Sequence, residues 1–163
     1  MLEGLSYLHI NGIVHRDLNP GNVMVSEDWK QLKIIDFGLA RDLKNSNPNE
    51  ELNTSFTPVG HKNYRSPEML NQDTYSLTHD IWAIGKILLE ILYGKFIGVK
   101  KCVGIIKDQA YKNLPWKKEF IDLVDLMIKL EPLQRIPASE ALKMPLFQLK
   151  IEEESKEIPE KSV

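Results

Sequence analysis

His15-Arg16-Asp17-Leu18-Asn19-Pro20-Gly21-Asn22, followed by Asp36-Phe37-Gly38, is the stretch on which the reading of this chain turns. It sets an Asp and an Asn five positions apart, then a second Asp before Phe-Gly. Taken singly, Asp17 and Asn22 are residue types that cap loops, and Asp36-Phe37-Gly38 is a turn after a strand. Their combination at this spacing asks for more than loop chemistry, and the flanking sequence decides what it belongs to.

Upstream, Leu2, Leu5, Tyr7 and Leu8 form a short helical pattern that stops at Asn11-Gly12. Downstream, residues 23–25 and 32–35 are β-prone runs around a polar stretch, which predicts a small hairpin. Residues 42–58 are rich in Asn, Ser, Thr and Pro and read as a long loop, a length that usually goes with function or mobility. A short helix is expected at 66–70. Thr78-His79-Asp80 leads into residues 81–93, apolar on nearly every face, as in a helix buried at a domain centre. Gly94 ends it. Residues 103–111 are a weaker helical segment. Pro115 opens another, with Phe120, Leu123, Val124, Met127, Ile128 and Leu130 on one stripe. Pro137 opens a last helix over 138–143. From Lys150 the tail is charged and reads as disordered. The fold class expected is mainly α with a small β hairpin, one domain over 1–149 and a tail over 150–163.

Composition is that of an ordinary globular domain, 42% apolar and 27% charged. A net charge near −2 implies no bulk attraction to nucleic acid or anionic membrane. Cys102 is the only cysteine, so no internal disulfide forms, which fits a reducing, intracellular setting, cytoplasmic or nuclear. The apolar run at 81–93 is interrupted by Lys86 and Glu90 and is too short to span a bilayer. Trp82 and Trp116 read as core or interface aromatics.

The run Tyr7-Leu8-His9, then Gly12-Ile13-Val14-His15-Arg16-Asp17 and Asp36-Phe37-Gly38, resembles the eukaryotic protein kinase family: the end of a helix and the catalytic loop after it. The resemblance extends to about Phe147 and covers only the family's C-terminal lobe. The Leu-Asn-Pro-Gly-Asn after Asp17 favours the serine/threonine type. What it implies is transfer of the ATP γ-phosphoryl to a protein hydroxyl. Asp17 would be the base that accepts the substrate proton. Asn22 and Asp36 would hold Mg2+, a hard cation suited by oxygen donors. Met24 would lie beneath the adenine of ATP. His15 and Phe37 would pack together as supports. Arg16 would bind an activation-segment phosphate through its bidentate guanidinium, with Thr57 the first phosphosite candidate and Thr54 and Ser55 alternatives. Gly60-His61-Lys62-Asn63-Tyr64-Arg65-Ser66-Pro67-Glu68 resembles the peptide-docking loop and the motif after it. Glu68 would form a buried pair with Arg135, since either charge inside alone is costly. Asp80 would tie down the catalytic-loop backbone. As a carboxylate at a helix N-terminus it is also favoured by the macrodipole, and both roles can hold.

Three departures from the family pattern stand out. Asn19 occupies the position of the usual Lys, and His61 that of a Thr, so the expectation is that Asn19 and His61 bond each other or Asp17 in replacement. Gly21 replaces a Glu that often pairs with a basic substrate residue. No Gly-rich phosphate loop, strand Lys or partner Glu precedes Asp17. Unaided activity is therefore expected to be weak or absent, and Met1 reads as internal to a longer chain or the start of a shortened product. A missing lobe or a partner is expected to cover an apolar flank of the central helix. The rival reading is a non-catalytic docking module of kinase-like fold.

Overall fold

The computed structural model describes residues 1–44, 59–71, 76–114 and 117–147. Helices dominate, with two small antiparallel sheets of two strands each. The order is α1 (Leu2–Ile10), β1 (Ile13–Val14), β2 (Val23–Val25), β3 (Leu32–Ile34), β4 (Arg41–Asp42), α2 (Pro67–Leu70), α3 (Thr78–Tyr93), α4 (Val99–Asp108), α5 (Lys118–Met127) and α6 (Ala138–Ala141).

The expected hairpin is present as β2 and β3, with Val23 opposite Ile34, Met24 opposite Lys33 and Val25 opposite Leu32. The β1–β4 pair, Ile13 with Asp42 and Val14 with Arg41, is a long-range contact between two-residue strands. It ties the end of α1 to the segment after Gly38. Pro115, Trp116, Thr54, Ser55, Thr57 and the tail lie outside the described residues. So does most of the loop expected over 42–58, whose first residue, Asp42, closes β4.

Helix α3 is the axis of the molecule. Ile81, Ile84 and Ile87 face one cluster with Leu2, Leu5, Leu18, Leu123 and Met127. Trp82, Leu89 and Leu92 face a second with Ile97, Cys102, Val124 and Ile128. An all-round apolar helix can be covered only if other elements surround it, and α1, α5 and α6 do so. Gly85 permits the closest approach: a Cβ there would lie 2.7 Å from Met127 Cβ and 2.8 Å from Ile128 Cγ2. Gly94 ends the helix in the left-handed conformation, φ 62°.

Two expectations are refined. The apolar flank expected on the central helix is covered on the α1 side, where Leu2 and Leu5 pack against it, while Ile91 near its C-terminal end is 50% exposed. Further exposed apolar side chains lie on the hairpin, where Met24 is 58% and Trp29 83% exposed, on Tyr7 and Ile10 of α1, and on Phe96 and Leu133. Helix α4 begins at Val99 rather than 103, because one buried residue, Cys102, suffices to seat its first turn despite Lys100 and Lys101. Among the described residues no helix is long and apolar enough to cross a membrane.

Candidate active site

The site is assembled on one buried carboxylate. Asp80, in the first turn of α3, is wholly buried. Its Oδ2 accepts from His15 N–H at 2.8 Å and from His9 Nε2 at 3.1 Å, and its Oδ1 from Arg16 N–H at 3.0 Å. Three donors satisfy a charge that would otherwise be costly inside. They also hold Arg16 at φ 67°, a left-handed conformation that a non-glycine residue adopts only when its surroundings enforce it.

From that turn the loop places Asp17 half-buried. Asn22 Nδ2 donates to Asp17 Oδ2 at 3.0 Å and to its carbonyl at 2.9 Å. Asn19 Nδ2 donates to Asp17 Oδ1 at 3.2 Å and to its carbonyl at 3.0 Å, while Asn19 Oδ1 accepts from Gly21 N–H at 2.9 Å. The third donor to Asp17 comes from far along the chain: His61 N–H reaches its Oδ1 at 2.6 Å. The approach depends on Gly60. It sits at φ 75°, and a Cβ there would lie 2.2 Å from the Arg16 carbonyl oxygen. Arg65 holds the same turn, donating to the carbonyls of Val59 at 3.0 Å and Gly60 at 2.9 Å.

Asn19 thus bonds Asp17, as its sequence position allowed. The His61 side chain does not. It packs edge-on against Tyr64 with ring centroids 5.4 Å apart, and its Nδ1 accepts from Asn63 N–H, so the residue contributes its backbone instead.

The second segment joins through His15. Its Nε2 donates to the Ile35 carbonyl at 3.1 Å, its Nδ1 accepts from Asp17 N–H at 3.3 Å, and its ring meets Phe37 at 5.0 Å, edge to face. Asp36 follows Ile35 at φ 60°, exposed, with Oδ1 accepting from Gly38 N–H at 3.1 Å. The second oxygen of the Asp36 carboxylate has no protein partner among the described residues. Asn22 likewise turns its side-chain Nδ2 to Asp17 and leaves its side-chain Oδ1 without a protein partner among the described residues. Two oxygen donors from the protein fit magnesium, which takes one or two protein oxygens and completes its shell with phosphate and water. Among the described residues no group of three His, Cys, Asp or Glu could hold a metal without such help.

Arg16 Nε donates to the Leu39 carbonyl at 2.6 Å, tying its side chain to the segment after Gly38. Met24 lies on β2, exposed. Glu68 and Arg135 form a bidentate pair, Nη1 to Oε1 at 2.6 Å and Nη2 to Oε2 at 2.7 Å. Arg135 also donates to the carbonyls of Lys129, Thr78 and Leu130. Burial alone would raise the Glu68 carboxyl, but the hydrogen bonds and charge of Arg135 outweigh it and hold it below the usual range. The Trp82 indole lies under the same guanidinium, 5.1 Å away.

His79 was not foreseen. It is buried between Asp80 and the docking turn, with Nδ1 2.9 Å from Ser66 Oγ. Burial pushes its imidazole below the ordinary value, against the pull of Asp80 and Glu68. The visible signal was a histidine beside Asp80 in an otherwise apolar run. A cavity of about 300 Å3, lined by Ser6, His9, Ile10, Leu77, Ile81 and Pro137, includes neither Asp17, Asn22 nor Asp36.

Comparison with known proteins agrees with this geometry. The protein kinase domain family matches residues 1–147. Mitogen-activated protein kinase 13 of Mus musculus is 38% identical, aligned over 91% of this chain and 48% of its own length. Myosin light chain kinase family member 4 of Mus musculus is 39% identical over 88% of this chain and 38% of its own. A probable serine/threonine-protein kinase of Dictyostelium discoideum, mkcC, is 32% identical over 91% of this chain and 17% of its own. The chain spans about half the length, or less, of the curated relatives it matches. With the family match covering most of the chain, the protein belongs to the protein kinase family, of the serine/threonine type.

Proposed function

We propose that this chain is the C-terminal, catalytic-loop lobe of a serine/threonine protein kinase, working in the transfer of the ATP γ-phosphoryl to a protein hydroxyl. The observation that carries the reading is the setting of Asp17. A carboxylate has about four acceptor sites, and Asn19, Asn22 and His61 N–H fill three. One remains for a substrate hydroxyl, and the three donors fix the direction from which it is met. Asp17 orients that hydroxyl and takes its proton. Bound magnesium–ATP would supply the phosphoryl group and the charge that neutralises its oxygens. Asn22 and Asp36 are the metal ligands, and Met24 is the apolar floor for the adenine. Arg16 is the phosphate-binding switch, serving a modified Thr57, Thr54 or Ser55. The exposed hairpin residues supply the face on which a nucleotide-gripping lobe would sit, whether from this polypeptide or a partner.

One observation favours a second reading, a docking module without chemistry. Asn19 engages both ends of its amide within the loop, so neither end is directed to a phosphate, and it has no charge to offer. The test is transfer of labelled γ-phosphoryl to a protein substrate. Transfer that drops by about 10²-fold or more in Asp17→Asn supports the kinase reading. Transfer unaffected by that substitution contradicts it, and no transfer by either protein favours the docking module.

A further inference from the structure

Lys86 stands in the middle of α3 with its side chain fully buried. An ammonium is almost never in that position unless paired. Its partner is Glu90, one turn on, with Oε1 2.5 Å from Nζ. The same carboxylate accepts from the Tyr64 hydroxyl at 2.7 Å and from Ile97 N–H at 3.1 Å. The ring centroids of Tyr64 and Phe96 lie 4.3 and 5.2 Å from Nζ. A carboxylate with two aromatic rings around the same point is the chemistry that selects an ammonium or a guanidinium. This is a cation cage, and the chain fills it with its own lysine.

The cage adjoins the turn that meets Asp17. His61 gives its N–H to Asp17 and its ring to Tyr64, so one residue touches both the catalytic carboxylate and the cage wall. Phe96 is 60% exposed and opens the rim of the cage to solvent. A basic side chain arriving there would meet a carboxylate already neutralised and already accepting three hydrogen bonds. Gly21, next to the Asn22 that holds Asp17, has no side chain, while Lys62 follows His61 and is exposed. Lys95 precedes Phe96, and Lys100 and Lys101 open α4, all three exposed. From 95 to 119 the chain carries seven lysines and two acids, Asp108 and Glu119; Lys112 is paired with Asp125 and Lys118 with Asp122, so the exposed Lys95, Lys100 and Lys101 carry the positive charge of this face.

We propose that Lys86 occupies, from within, the cation subsite of the protein-docking face, and that this face takes an acidic protein segment. The inference rests on the kinase reading only in that a protein segment docks beside Asp17. The same lysines would also draw an anionic surface, but a cage closed beneath a docking turn bears on the side chains of a peptide.

The test is fluorescence anisotropy of the intact chain with two labelled serine peptides of equal length, one flanked by Glu and one by Arg. The Glu peptide is expected to bind at least about tenfold tighter to the wild type. Lys86→Met uncovers Glu90 and is expected to narrow or reverse that ratio. Lys86→Met with Glu90→Gln leaves a neutral cage, avoids an unpaired buried charge, and is expected to return the wild-type order. Equal binding of the two peptides to the wild type, preference for Arg, or no binding of either overturns the proposal. So does a double variant that folds but keeps the reversed order. A melting shift with magnesium–ATP on the same samples reads the nucleotide site separately, so failure of the peptide preference is distinguishable from failure of the kinase reading.

Discussion

Arg16 and Asp36 both stand at positive φ, 67° and 60°, and both flank groups assigned to chemistry. Such conformations cost roughly 1–3 kcal/mol each and persist where the surroundings over-determine them. Asp80 does so for Arg16 through two backbone hydrogen bonds. Asn19 braces the loop just beyond, joining Asp17 to Gly21. Asn19→Ala removes both links at a nearly buried position, and a loss of about 1–2 kcal/mol is expected in urea unfolding. A variant as stable as the wild type would show that the loop holds itself without the amide. At this scale Asp17, Asn22, Asp36 and Asp80 were legible because their chemistry lies in their side chains. His61 was legible only as a departure, because its contribution is a backbone N–H. That N–H depends on Gly60, whose φ cannot be seen in a sequence.

Helix α3 was legible for a physical reason: an all-apolar run must be surrounded. Its buried Lys86 and Glu90 were visible as an i,i+4 pair, but spacing alone does not tell a solvated pair from a cage. The β1–β4 pairing was not legible, since two-residue strands carry no periodicity. The α3–α5 contact gives a prediction opposite in sign to helix propensity. Gly85→Ala should gain about 1 kcal/mol in an isolated helix. Here the new methyl would overlap Ile128 Cγ2 and also Met127 Cβ, which no side-chain rotation removes, and overpacking costs about 1–3 kcal/mol. A net loss of up to about 2 kcal/mol in urea unfolding is therefore expected, and a stabilised variant would refute the packing described.

The whole molecule carries two acid-sensitive groups at the joint between docking turn and core. His79 is held below 6.5 by burial, so its neutral form is favoured in the fold. Its contribution is complete above that value and is lost as pH falls through the lowered pKa. Glu68 is held below 4.5 by Arg135, so its contribution is complete above that value and is lost further into acid. Both act in one direction. Urea midpoints should fall in two stages on acidification, the first setting in below 6.5 and the second below 4.5. Glu68→Gln should shrink the second stage to the part that Asp125, also held below its ordinary value, contributes and, by stranding Arg135, lose about 3–5 kcal/mol at neutral pH. A flat profile from neutral pH to below 4.5 would contradict the assignment.

The central claim is that Asn22 and Asp36 form a metal–nucleotide site beside Asp17. Two protein oxygens predict that magnesium alone binds weakly and magnesium with ATP binds better. The direct measurement is the melting temperature with magnesium, with ATP and with both. At a hundredfold excess over Kd the complex stabilises by about 2.7 kcal/mol, a rise of about 5–10 °C for a chain of this size. The account predicts that rise for magnesium with ATP and its disappearance in Asp36→Ala. No shift at saturating magnesium–ATP, or a shift that survives Asp36→Ala, would contradict it.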